Sequence, residues 1–143
     1  MFVDNRDAAR RYFLEVWRKL DERAPLTPLE GMIARVIELH PEYHELLRDG
    51  ERLLAQDFGR DEPEHNPFLH MGLHIALAEQ VGGDRPPGIR AVHARLCAAA
   101  DGPDGGHCAE HRMIECLAEE LWRAQQASRM PDEQAYLAAL DRL

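Results

Sequence analysis

Six histidines fall into three pairs separated by four residues: His40 with His44, His70 with His74, and His107 with His111. In a helix, side chains four apart lie above one another on one face, so each pair can turn two imidazole nitrogens toward one point. Two imidazoles placed this way can chelate a metal ion. Carboxylates lie nearby. Glu115 follows His111 by four, giving H-x-x-x-H-x-x-x-E, Glu79 follows His74 by five, and Glu30 stands two heptads before His44. The candidate metal ligands are therefore Glu30, His40, His44, His70, His74, His107, His111 and Glu115. Such a shell suits iron, zinc or manganese, including a non-haem iron or dinuclear centre between helices.

A buried imidazole needs a partner, because an unsatisfied polar group in a core is costly. That partner can be a metal, and it can equally be Glu, Asp, Tyr or a backbone carbonyl. A non-catalytic interaction or structural protein with a buried His/carboxylate network therefore stands as the alternative. "HCAEH" (107–111) also matches the inverted zinc-protease pattern, with His107 and His111 on zinc and Glu110 activating water. That reading needs a third ligand from Glu115, Glu119, Glu120 or Asp132, and a substrate chamber for which 143 helical residues leave little room. No glycine-rich phosphate loop and no G-x-S-x-G elbow is present.

The elements that must position these residues are helices. Alanine, leucine, glutamate and arginine dominate, and alternating apolar runs are absent. A first helix is expected from about Asp7 to Arg23, with Phe13, Val16, Trp17 and Leu20 on its apolar face. Thr27, Pro28 and Glu30 form a capping-box start for the second helix, which gives Glu30 a structural task as well. Leu29, Ile33, Val36 and Ile37 are its expected buried side. Pro41 either kinks this helix or ends it near His40. A further piece is expected over Glu51–Gln56, then a loop at "DFGRDEPEH".

Asn66-Pro67 opens a helix that reaches Val81 and stops at Gly82-Gly83, with His70, Leu73, His74, Leu77 and Val81 sharing a face. Helices over Ile89–Ala99, His107–Ala127 and Pro131–Leu143 complete the chain. On the third-last of these predicted segments, Ile89, Val92 and Leu96 point inward. On the next, His111, Ile114, Ala118, Leu121 and Trp122 share a face, and Trp17 and Trp122 are expected core anchors. The expected architecture is an all-α bundle of about four main antiparallel helices with short additional helices, as one domain over 1–143.

Composition bounds the partners. Acidic residues outnumber basic ones 26 to 17, a formal charge of -9, which argues against general binding to nucleic acid or anionic membrane. A basic cluster, Arg6, Arg10, Arg11, Arg18 and Lys19, reads as a solvated helix face or, through Arg10 and Arg11, as a dock for an acidic protein partner. The oligomeric state is open. Cys97, Cys108 and Cys116 make no CxxC pair and read as free, buried thiols of a reducing compartment. The opening "MFVDNRDAARRYF" lacks the apolar stretch of a secretory signal, so a cytoplasmic location is expected.

Read together, "LTPLE", "HPEYH", "NPFLHMGLH", "EQ", "RPPGIR", "AEHRMIECLAEELWRAQ" and "PDEQAYL" resemble a bacterial family described as domain of unknown function 1841. The resemblance covers about Arg6 to Leu143. It implies a small cytoplasmic bacterial protein and carries no activity with it. The family pattern includes the histidines of "HPEYH" and "NPFLHMGLH" together with His111.

Overall fold

The computed structural model describes residues 6–55 and 66–143. Eight α-helices and no strands are found among the described residues: α1 (Arg6–Glu22), α2 (Pro28–Glu38), α3 (His44–Arg48), α4 (Gly50–Ala55), α5 (Pro67–Gly83), α6 (Ile89–Ala99), α7 (Gly105–Gln126) and α8 (Glu133–Asp141). A 3-10 turn, Pro41–Tyr43, separates α2 from α3. The protein is an all-α helical bundle. By its internal contacts the chain divides into two compact units, Met1–Met71 and Gly72–Leu143, with the division inside the continuous helix α5. The expected loop "DFGRDEPEH" lies outside the described residues.

In the first unit, α1 packs on α2 and α4. Phe13, Val16, Ile33, Val36, Ile37, Leu47 and Leu53 are buried there. Helix α2 starts as its sequence requires. Thr27 Oγ1 accepts from the Glu30 amide, and Glu30 Oε1 accepts from the Thr27 amide, so two of the helix's orphan donors are satisfied reciprocally. Its end resolves the choice at Pro41. The helix stops at Glu38, because proline has no amide to continue the ladder.

Two expectations are corrected in this unit. Leu29 is exposed rather than buried, and in the first turn of α2 it is Glu30, held by Lys19 and the Thr27 amide, that is buried instead. Arg10 is buried at 3% exposure and so is not part of a solvated basic face. Its Nη1 donates to the carbonyls of Leu53 and Leu54 at the end of α4, and its guanidinium lies 5.0 Å from the Phe68 ring centroid. Arg18 pairs with Glu15 and Glu22, and Lys19 with Glu30, so these charges are locally compensated.

In the second unit, α6 packs on α7 and α8, and α7 on α8. Leu73, Leu77, Ile89, Val92, Leu96, Ala109, Met113, Ile114, Leu117, Tyr136 and Leu140 form its core. Tyr136 Oη donates to Gln80 Oε1 at 2.8 Å, and Arg90 donates to the Val81 and Gly82 carbonyls that end α5. Glu120 closes the α7–α8 connection by accepting from Arg129 Nη1 and the Asp132 amide. The expected face of α7 is corrected at its C-terminal end: Leu121 is 40% and Trp122 52% exposed. Trp122 is therefore no core anchor. The buried stripe runs instead through Met113, Ile114, Leu117, Glu120 and Ala124, which keeps the helical period but rotates it away from Trp122.

The turn into α7 is tight. A Cβ built on Gly105 would stand 3.0 Å from both the Cβ and the carbonyl oxygen of Ala100. Backbone cannot yield as a flexible side chain can. Gly105→Ala should therefore lower stability by about 1–3 kcal/mol through overpacking, against the usual gain of alanine over glycine in a helix. The shift in urea midpoint measures it, and an unchanged or raised midpoint would show that no close approach exists there.

Candidate metal centre

The break at Pro41 explains what the first two histidines do. Ending α2 removes the amides that would continue its ladder, and histidine rings donate to two of its last carbonyls, Val36 and Ile37, the second of which also accepts from the His40 amide. His40 Nδ1 lies 2.7 Å from the Val36 carbonyl and His44 Nε2 lies 2.9 Å from the Ile37 carbonyl. A carbonyl oxygen only accepts, so both ring nitrogens are donors here. In neutral His40 this places the proton on Nδ1 and the lone pair on Nε2. That Nε2 stands 3.0 Å from His70 Nε2, and the Tyr43 ring stacks on His40 with centroids 5.3 Å apart. Two nitrogens bound to one tetrahedral zinc stand about 3.3 Å apart, so the His40–His70 separation is close to that of a shared ion.

His44 faces elsewhere. Its ring packs on Trp17, centroids 4.9 Å apart, and its Nε2–H is spent on the end of α2. Tyr43 is half-buried, and that burial, followed by the charge of Glu42, pushes its phenol up from the ordinary value.

Helix α5 carries His70 and His74 one turn apart on one face. Asn66 Oδ1 caps the helix by accepting from the Phe68 and Leu69 amides, which fixes the register of both histidines. His74 is buried at 2% exposure. Around it α7 gathers His107 and His111, each with its ring centroid 5.0 Å from that of His74 and 4.1 Å from one another. His74 Nδ1 lies 3.4 Å from Glu110 Oε2, and the other carboxylate oxygen, Oε1, lies 3.4 Å from His93 Nε2. Cys97 Sγ is 3.5 Å from the same His93 nitrogen, and burial pushes that thiol's pKa up, so it is held protonated.

His40, His70, His74 and His111 each offer one ring nitrogen, and these four nitrogens lie within 4.8 Å of one another. They form a histidine cluster of the kind that could hold a metal ion, with the Glu110 carboxylate beside it. His40 and His74 are buried, and His70 and His111 partly so.

Of the eight ligands expected from spacing, four are in this cluster. His107 adjoins it through the rings of His74 and His111. His44 is held by Trp17 and Ile37. Glu115 and Glu79 are exposed. Glu30 is engaged at the other end of α2: its Oε2 pairs with Lys19 Nζ at 2.6 Å and its Oε1 with the Thr27 amide. Glu110 and His93 were not among the expected site residues. Glu110 had a visible signal, three residues after His107 and next to His111, but it was attached to the protease pattern; His93 had no paired histidine four residues away.

Over residues 5–142 the sequence matches the family model described as domain of unknown function DUF1841. The chain belongs to the DUF1841 family. No curated protein and no solved structure matches it. Among the described residues, no helix is long and apolar enough to cross a membrane.

The placement of Glu30 yields a test of its structural role. The Lys19 ammonium, then the Thr27 amide, hold its carboxyl below the usual carboxylate range. A depressed folded-state pKa stabilises the fold above the unfolded value, about 4.3, and that contribution is lost as pH falls through the lowered one. Glu30→Gln should therefore lower Tm at neutral pH, and the gap from the parent protein should close on acidification below about pH 4. A gap that persists unchanged into acid would contradict the ion-paired cap.

Proposed function

We propose that this protein is a metal-binding helical protein in which His40, His70, His74 and His111 hold one divalent first-row transition ion. The observation that carries the reading is the convergence of their four ring nitrogens within 4.8 Å. The tautomer of His40 supports it: with Nδ1–H donated to Val36, the lone pair at Nε2 is the one turned to His70. Metal-binding histidines characteristically have the other ring nitrogen held in this way.

The donor set narrows the metal. Four imidazoles with no carboxylate among them suit borderline ions better than hard, oxygen-preferring ones. Among iron, zinc and manganese, manganese is the poorest match. Four nitrogens close a tetrahedral zinc shell and would make zinc structural, whereas six-coordinate iron would keep two positions for exogenous ligands. The three cysteines are not buried as expected, Cys108 being exposed and Cys97 and Cys116 partly so, but as free thiols they support a reducing, cytoplasmic setting. The net charge of -9 supports a protein that does not bind nucleic acid. We take residues 1–143 to work as one domain, supported by the unbroken run of α5 across the division between the compact units.

A second reading rests on the 3.0 Å approach of His40 Nε2 to His70 Nε2. A single proton between these nitrogens would make a metal-free hydrogen bond, the start of a buried polar network in a structural protein.

Equilibrium dialysis of tag-free protein against Zn2+, Mn2+ and, anaerobically, Fe2+ separates the two. One tightly held ion per chain is expected, with Mn2+ weakest. His74→Ala and His111→Ala should each lower affinity at least about tenfold, while His44→Phe and Glu115→Ala should retain it. A folded protein that takes up none of the three ions would overturn the metal reading and leave the hydrogen-bonded network in its place.

A further inference from the structure

We propose that Glu110 is the positioning residue for His74: its carboxylate fixes the ring as the Nδ1–H tautomer, turns Nε2 to the ion, and is itself anchored by His93. The role of His74 as a ligand rests on the metal reading above; the pairing of Glu110 with His74 stands on geometry of its own.

An ionised carboxylate only accepts, so a histidine nitrogen facing it carries the proton. Glu110 faces two such nitrogens, His74 Nδ1 through Oε2 and His93 Nε2 through Oε1, each at 3.4 Å. The His74 side chain is 1% exposed, so water does not compete for its Nδ1, whereas Glu110 and His93 are 20% and 26% exposed and can keep contact with solvent. Placing the proton on Nδ1 leaves the Nε2 lone pair as the donor atom for a metal. His40 has the same polarity by a different route, with Nδ1 held by the Val36 carbonyl. Two ligands, His40 just past the end of α2 and His74 within α5, are thus preset to the same tautomer by one carbonyl and one carboxylate.

Charge adds a second reason for a carboxylate at this point. Four neutral imidazoles leave the charge of a divalent ion uncompensated, and burying that charge is costly without an anion nearby. Glu110 supplies one through the imidazole rather than by direct ligation. At 3.4 Å the contact of His74 Nδ1 with Glu110 is an ion-pair approach that falls short of a hydrogen bond in this structure, and polar contacts of a preformed site commonly tighten when it is occupied. Metal loading should therefore shorten it.

The test uses uniformly 15N-labelled protein, metal-free and then Zn2+-loaded. Long-range 1H–15N spectra of the metal-free protein should show His74 as the Nδ1–H tautomer. Glu110→Ala should shift His74 toward Nε2–H and weaken Zn2+ binding about 10- to 100-fold. Glu110→Gln, whose amide oxygen still accepts, should keep the tautomer and lose less affinity. An Nε2–H tautomer in the parent protein, or an Ala variant with tautomer and affinity unchanged, would overturn the proposal. A tautomer that depends on Glu110 in a protein that takes up no Zn2+ would support the pairing and count against the metal reading alone.

Discussion

The hydrogen bond from His40 Nδ1 to the Val36 carbonyl is the interaction on which the functional account depends. It exists because Pro41 cannot extend α2, which leaves carbonyls at the helix end in need of donors. By fixing the proton on Nδ1, it makes Nε2 the basic atom of the ring and points the chemistry of His40 toward His70. A helix stop that would otherwise be a local detail thus sets the protonation pattern of a buried histidine. The His44 ring does similar work at Ile37, and doing so removes it from the cluster.

Three of the four histidines stand on helices, His70 and His74 on α5 and His111 on α7, and His40 stands on the connection that ends α2. The four-residue spacing on α5 sets His70 and His74 on one face, and the four-residue spacing on α7 sets His107 beside His111. Asn66 caps the start of α5, and the start of α7 packs closely on Ala100 at Gly105. Rigid elements of this kind can hold ligands to the tolerance that a metal demands. The same rigidity is compatible with a hydrogen-bonded network, which is why metal uptake, and not shape, distinguishes the two readings.

Much of the fold was legible in the sequence because its signals are local. The Thr27–Glu30 capping box and the Asn66-Pro67 start act over three or four residues, and α2 and α5 begin where they place them, while α5 runs through Gly82 and Gly83, two residues past the expected end at Val81. The histidine spacing named three pairs, of which His40, His70, His74 and His111 fall in one cluster while His44 and His107 do not. The misreadings concern which way a side chain faces once helices pack. Periodicity put Trp122 inside, but α7 turns its buried stripe through Leu117 and Glu120. Composition placed Arg10 on a solvated face, although the end of α4 offers it two carbonyls and Phe68 a ring face. Glu110 and His93 meet only because α6 packs on α7, a long-range fact with no counterpart in sequence spacing.

The proposed ion would sit among His40, His70, His74 and His111. The most direct measurement is anomalous diffraction at the zinc edge from crystals of Zn2+-loaded protein. A single strong peak is predicted at about 2.0–2.1 Å from one ring nitrogen of each of the four histidines, with Nδ1 of His40 still on the Val36 carbonyl. A peak on exposed residues such as Glu115, or none at all with the His40 and His70 nitrogens left hydrogen-bonded to each other, would contradict the account.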